Sequence, residues 1–348
     1  MKRLIYCAGF MFCLFALFFV SSCKKQKCYV PPSPEAKSTG FTWTNQTTTG
    51  NWMASSYPDV NHGFVVGMGG SMVKTSNGST YSVVATGTTE DLYATYFFNG
   101  TDGFIAGNNG VFKQTNNGGA SWTNVTLPSG VASSVSYRNI YFYNSTLGFV
   151  TGGNNTILKT TNGGGTWSLI NNGIIGGSSV YGIYFTDENI GYAGGDYGYI
   201  YNTIDGGANW SGQIVFSSRA VANDITFIDN NTGYASIAVG FPVAGDTTTL
   251  MKTTDGGQTW QVDPHSPHST SGNPSQLSHI KFFNNQVGYM TGGYTPANTG
   301  ELYCTTNGGQ SWSTVSIPSC GRLRGLSLLP SEGKLYAVGL TNTILQGN

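Results

Sequence analysis

Charge is scarce in this sequence. Only 9% of its 348 residues are Asp, Glu, Lys or Arg, and 16 basic residues balance 16 acidic ones. Proteins that grip a phosphate backbone concentrate Lys and Arg on one face, so no nucleic-acid partner is expected. Arginine is scarcer still: beyond residue 22 there are four, Arg138, Arg219, Arg322 and Arg324. Cysteine is sparse too, with six residues and no CxxC spacing, which argues against a zinc site built on cysteine pairs. His265-x-x-His268, with Asp263 nearby, has a spacing that could hold a metal. It sits in a Pro- and Ser-rich stretch and reads as loop histidines, so no metal or other cofactor is expected. Long apolar runs are absent apart from one of 17 residues, Leu4 to Val20, short of the roughly 20 that a spanning helix needs.

That run belongs to an N-terminal export signal. Met1-Lys2-Arg3 is its basic start, and Val20-Ser21-Ser22-Cys23 resembles a bacterial lipobox, with Cys23 as the lipidated residue. Residues 1–22 are then a lipoprotein signal peptide and residues 23–39 a tether stiffened by Pro31-Pro32-Ser33-Pro34. The expectation is a monomer in a bacterial cell envelope, held to the outer membrane by lipid. Lys24, Lys25 and Lys27 follow the cysteine. In Bacteroidetes-type lipoproteins an acidic run there resembles a surface-export signal, and its absence favours the periplasmic side. Cys28, Cys304 and Cys320 are left over, an odd number.

What the sequence has in quantity is glycine, 50 residues, and aromatics, 13%, the composition of short strands joined by tight turns. A Gly-aromatic-x-x-Gly unit or a near relative starts at Gly63, Gly103, Gly148, Gly191, Gly233 and Gly288, with a seventh copy at Leu335-Tyr336-Ala337-Val338-Gly339. Successive starts lie 40, 45, 43, 42, 55 and 47 residues apart, the period of four-stranded propeller blades. Each unit also holds a turn of the form Thr-x-Asn/Asp-Gly-Gly-x-x-Trp. The five well-formed copies carry Asn117 and Trp122, Asn162 and Trp167, Asp205 and Trp210, Asp255 and Trp260, and Asn307 and Trp312. The Asn or Asp side chain bonds its own backbone, and the glycines take positive φ. Each Trp is expected to fill the space between neighbouring blades, with its N–H needing a partner. Thr75 to Tyr81 is a decayed copy.

These turns resemble the Asp-box (BNR) repeat. The extended pattern, with Gly-aromatic-x-x-Gly ahead of Lys-Thr-Thr-Asn/Asp-Gly-Gly, is most similar to propellers related to the photosystem II assembly factor of cyanobacteria and chloroplasts. The resemblance spans residues 40–348 and implies an all-β, seven-bladed propeller of four-stranded blades. The seventh copy supplies three strands from Gly325 to Gly347, so Trp43 to Gln46 is expected to close it from the N-terminal end.

Topology sorts the residues onto two rims. The boxes join third to fourth strands and share one rim. First strands begin at the other, where their leading residues ring the channel mouth. Arg138, Tyr181 and Arg324 are equivalent there, Asp224 and His279 come one position later in their blades, and Arg219 and Arg322 lie just before a first strand. These seven are the candidate binding residues. They suit a carboxylate, a glycan acid or an acidic peptide terminus. The longest departures from the repeat, Val239 to Thr249, Gln261 to Ser278 and Tyr294 to Gly300, fall on the same rim. Lys74, Lys113, Lys159 and Lys252, before the boxes, read as solvated edge charges. Cys304 and Cys320 fall on opposite rims, roughly 20 Å apart at ~3.3 Å per residue, and are not expected to pair.

No catalytic residues are assigned. Sialidases also carry Asp boxes and use an arginine triad, but no Phe/Tyr-Arg-Ile-Pro motif is present. The leading reading is a non-catalytic protein-binding or assembly scaffold working through the face opposite the boxes. The alternative is a glycan-binding or glycan-hydrolysing, sialidase-like propeller.

Overall fold

The computed structural model describes residues 41–46, 48–217, 219–239, 249–267, 276–294 and 298–347. The expected export signal and tether, with Cys23 and Cys28, and also His268 and most of the three long loops, lie outside these residues.

Alternating apolar and polar residues between glycine turns build seven antiparallel sheets of four strands. Six are continuous in sequence. The blade order begins with blade 1 at Trp52–Ser56 and blade 2 at Leu92–Phe97. Blades 3, 4 and 5 begin at Tyr137–Phe142, Val180–Phe185 and Ala220–Phe227. Blades 6 and 7 begin at Ile280–Phe282 and Leu323–Leu329. These first strands pack side by side around the axis, and the ring closes where blade 7 meets blade 1. The fourth strand of blade 7 is Trp43–Asn45, paired with Thr343–Gly347 in the register Trp43↔Gly347 and Asn45↔Leu345. Gln46 N–H adds a bond of 2.9 Å to the Ile344 carbonyl. The closure therefore follows the expectation, and it removes a free sheet edge.

The blades are held together by a repeated aromatic contact. The aromatic of one blade's second strand stacks on the aromatic ending the next blade's first strand: Phe64 on Phe97 at 3.4 Å between centroids, Phe149 on Phe185 at 4.1 Å, Tyr192 on Phe227 at 4.2 Å. The box Trp of that next blade then stands edge-on to the same ring, at interplanar angles of 88° for Phe97–Trp122 and 85° for Phe227–Trp260. The leading glycine of the repeat exists for this packing: a Cβ on Gly148 would lie 2.4 Å from the Phe142 ring. One expectation needs correction. Among the five box tryptophans only Trp210 has an N–H partner, the Ile170 carbonyl at 3.1 Å, whereas the buried Nε1 of Trp122, Trp167, Trp260 and Trp312 has none. Ring burial and edge-to-face contact outweigh the lost hydrogen bond, about 1–3 kcal/mol for each buried donor.

The box lysines also differ from the expected solvated charges. Lys74 and Lys159 donate to the Gly118 and Gly206 carbonyls of the next blade, each at 2.8 Å. Lys113 bonds the Thr86 and Gly87 carbonyls, and Lys252 lies 5.3 Å from the centre of the Tyr234 ring. A box turn presents carbonyls to its neighbour, and a long flexible amine is the side chain that reaches them. Cys304 and Cys320 do not form a disulfide with each other.

Within a box the hydrogen bonds explain the residue types. Thr253 Oγ1 donates to Asp255 Oδ1 at 2.7 Å and accepts from Gly257 N–H, while Asp255 Oδ1 accepts from Thr259 N–H. Asn117 does the same work, taking Thr115 Oγ1 and Ser121 N–H. In the two aspartate boxes these bonds favour the ionised form. Asp205 is held down to about 2, first by the Asn209 side chain, and Asp255 to about 2, first by the Thr259 hydroxyl. A folded pKa below the unfolded value of about 3.9 means stability that is complete above pH 4 and lost as pH falls toward 2. Asp205→Asn with Asp255→Asn should therefore fold normally and show a shallower fall of melting temperature between pH 4 and 2. A steeper fall than wild type would contradict the assignment.

Candidate functional site

Antiparallel pairing places the start of each first strand beside the end of the second, as in Leu92↔Gly107, and the box beside the start of the second, as in Gly103↔Thr115. The first strands thus open onto the rim opposite the boxes. In six of the seven blades the pairing slips there, between Trp52/Ala54, Leu92/Ala94, Tyr137/Asn139, Val180/Ile183, Ala222/Asp224 and Leu323/Gly325. A β-bulge frees a residue from the ladder and re-aims its side chain. The residues skipped include Met53, Tyr93, Arg138, Tyr181, Asn223 and Arg324. With Ser278 of blade 6 and Arg322 they line a cavity of about 300 Å³ at the mouth of the channel.

Arg138 sits between aromatics of the blades on either side. Its guanidinium carbon is 4.7 Å from the centre of the Tyr93 ring and 5.8 Å from that of Tyr181, a cation–π clamp. The two rings are themselves fixed. Tyr181 donates to Asp196 Oδ1 at 2.9 Å, and Tyr93 accepts from Asn108 Nδ2 at 3.0 Å. Neither Arg138 nor Arg324 forms an ion pair with a carboxylate among the described residues, and the buried Nε of each has no hydrogen-bond partner. Arg322 is 6% exposed. Burial, then the charge of Arg324, pulls its pKa down to about 9, and burial lowers Arg324 as well. Two guanidinium groups held close together and out of bulk water favour an anion between them.

The other candidates separate. His279 lines the mouth and the channel below it, and its Nδ1 lies 3.1 Å from Asp224 Oδ2. Asp224, 6% exposed, also accepts from Ile225 and Ile280 N–H at 3.0 and 3.2 Å, so it ties blade 5 to blade 6. Arg219 is exposed and does not line either cavity. Among the described residues no group of three His, Cys, Asp or Glu could hold a metal ion, and His268 lies outside them. His265 Nδ1 pairs instead with Asp263 at 3.2 Å.

Below the mouth the channel widens into a cavity of about 500 Å³. Register identifies its lining, since Phe142, Phe185, Phe227 and Phe282 each face the first glycine of the second strand. The residue just before each is channel-facing: Tyr141, Tyr184, Thr226 and Lys281. Lys281 was not among the residues singled out from sequence. The signal was present, since it is the one charge in a column of hydroxyls, but finding it requires the strand register.

Seven four-stranded blades, Asp boxes on one rim and a basic bulge-built mouth on the other define an Asp-box propeller of the assembly-factor class. The chain belongs to the photosynthesis system II assembly factor YCF48 family, whose model matches residues 34–132, 79–236 and 176–339. A YCF48 structure described as bound to D1 peptide is similar at 15% identity and a TM-score of 0.66, covering 88% of this chain and 96% of that one. YCF48 from Cyanidioschyzon merolae gives 16% identity and a TM-score of 0.64 over 88% and 98% of the two chains. The GH74 xyloglucanase from Xanthomonas campestris shares the fold at 12% identity and a TM-score of 0.62, over 87% of this chain and 53% of the enzyme. No curated protein matches the chain.

Proposed function

We propose that this protein is a non-catalytic binding or assembly scaffold of the bacterial envelope, whose partner presents an acidic peptide segment to the arginine mouth opposite the Asp boxes. One observation carries the reading: Arg138 and Arg324 are half-buried at β-bulges, and among the described residues no carboxylate answers them and the buried Nε of each has no partner. Desolvating a charge without pairing it costs stability, and a site retained at that cost suits a ligand that supplies the missing anion. A YCF48 structure that holds a peptide supports a protein partner. The test is binding of a glutamate-rich peptide to the soluble propeller, with binding lost in Arg138→Ala/Arg324→Ala. Equal binding by the variant overturns the reading.

Glycan binding is the second reading, favoured by the fold shared with a xyloglucanase. Asp224 is the one carboxylate lining either cavity among the described residues, and it is occupied by two backbone N–H groups and His279. Hydrolysis by a pair of carboxylates needs two, about 5–10 Å apart, so the chemistry supports binding over turnover. A panel of polysaccharides and sialosides separates the two, since product release would mark an enzyme.

The anchor is part of the proposal. Mass spectrometry of the native chain should find it beginning at Cys23 with a lipid on the thiol, and Cys23→Ala should release it from membranes. A native chain that retains residues 1–22 contradicts this.

A further inference from the structure

The channel-facing column below the mouth runs Ser56, Tyr96, Tyr141, Tyr184, Thr226, Lys281 and Ser327 around the seven blades. Most of its hydroxyls are used sideways, as links to the next blade. Ser56 Oγ accepts from Phe97 N–H at 2.9 Å, and Tyr184 Oη donates to the Phe227 carbonyl at 3.1 Å. Tyr141 Oη meets the Phe185 backbone, donating at 3.4 Å and accepting at 3.3 Å, and Ser327 Oγ lies 2.8 Å from Ser55 Oγ. A serine or tyrosine suffices for that role, which leaves the amine at the same place in blade 6 unexplained.

Lys281 makes no such link. Its amine has no hydrogen bond and no ion pair among the described residues, and its side chain is open to the channel. The walls enclose it closely all the same. That enclosure lowers its pKa, and Asp224, the acid near it, opposes the shift without cancelling it. With Arg138, Arg322 and Arg324 at the mouth and Asp224 as the one lining carboxylate among the described residues, the described lining is positive along the channel's depth. Lys281 comes three residues after Ser278 of the mouth ring, which sets it roughly 10 Å deeper at ~3.3 Å per residue.

We infer that Lys281 is a second anion-binding residue, and that it takes the terminal carboxylate of a peptide whose acidic side chain rests on the arginines of the mouth. This rests on the acidic-peptide reading above and adds direction and spacing to it: the chain end enters first, with the acid about three residues behind. An extended chain advances ~3.3 Å per residue, so that spacing matches the two levels of positive charge. A cavity of about 500 Å³ is in the range of small-ligand sites, enough for a chain end but not for a folded domain.

The test uses two fluorescent hexapeptides, each with glutamate three residues before the last, one ending in a free carboxylate and one in an amide. The free acid is expected to bind the wild-type propeller about tenfold or more tighter than the amide. Lys281→Met should bring the acid's affinity down to the amide's, and Arg138→Ala/Arg324→Ala should weaken both peptides. The acid–amide comparison on wild type stands even if Lys281→Met fails to fold, and Lys281→Gln serves as a second variant. If both peptides bind wild type equally and both are lost in the arginine variant, the role of Lys281 is overturned while the scaffold reading survives. If neither peptide binds wild type, both are overturned.

Discussion

Gly257→Ala is expected to lower the melting temperature by on the order of 5–10 °C. Two costs coincide. Gly257 has φ +77°, where a side chain costs about 1–2 kcal/mol. Its Cβ would also stand 2.5 Å from Cε1 of Tyr192 in the preceding blade, and Tyr192 is pinned there by its bond to the Gly256 carbonyl at 2.7 Å. Forcing an extra carbon into a packed contact costs about 1–3 kcal/mol more. At a few degrees per kcal/mol for a domain of this size, the sum gives the stated shift. Gly69 is the control: its φ is +64°, and nothing lies within 4 Å of the position a Cβ would take. Gly69→Ala should lose only the first contribution. Equal melting temperatures for the two variants would show that the box glycine serves its turn alone and not the seam between blades.

Arg138→Ala/Arg324→Ala should weaken binding of an acidic peptide by about 100-fold while leaving the melting temperature nearly unchanged. Charge-assisted hydrogen bonds contribute about 1.5–3 kcal/mol each, and two lost together reach that factor at 1.4 kcal/mol per tenfold. The small effect on stability follows from the buried Nε of each, which has no hydrogen-bond partner among the described residues. Removing the two charges relieves desolvation without breaking an ion pair among these residues, and that gain offsets the lost contacts of Arg138 with Tyr93 and Tyr181. A fall of several degrees in melting temperature would mean that these arginines hold blades together.

The blades could be counted from the sequence because their glycines and tryptophans recur at a fixed place for steric reasons that every blade shares. Closure by Trp43 was legible for the same reason, since Gly40-Phe41-Thr42-Trp43 completes a pattern missing at the other end. The mouth was only partly legible. Aligning first strands brought Arg138, Tyr181 and Arg324 to one level, but the cause of their inward aim is a slip in pairing, and a bulge leaves no mark in residue type. Arg219 shows the limit: proximity to a first strand in sequence placed it with the others, yet it is exposed and outside the mouth, whereas Arg322, at the same offset from its strand, lines it. Lys74 and Lys159 were misread because their partners are carbonyls of another blade, which no local pattern reveals. Lys281 was hidden because its distinction is positional, an amine where the other blades carry hydroxyls.

The most direct measurement of the central claim is amide hydrogen exchange with and without a bound acidic peptide. Protection is expected around residues 91–94, 136–139 and 321–325, at the starts of the first strands of blades 2, 3 and 7, with the box turns at 115–122 and 253–260 unchanged. Protection confined to the box turns would contradict the account, since it would put the partner on the face that the boxes occupy.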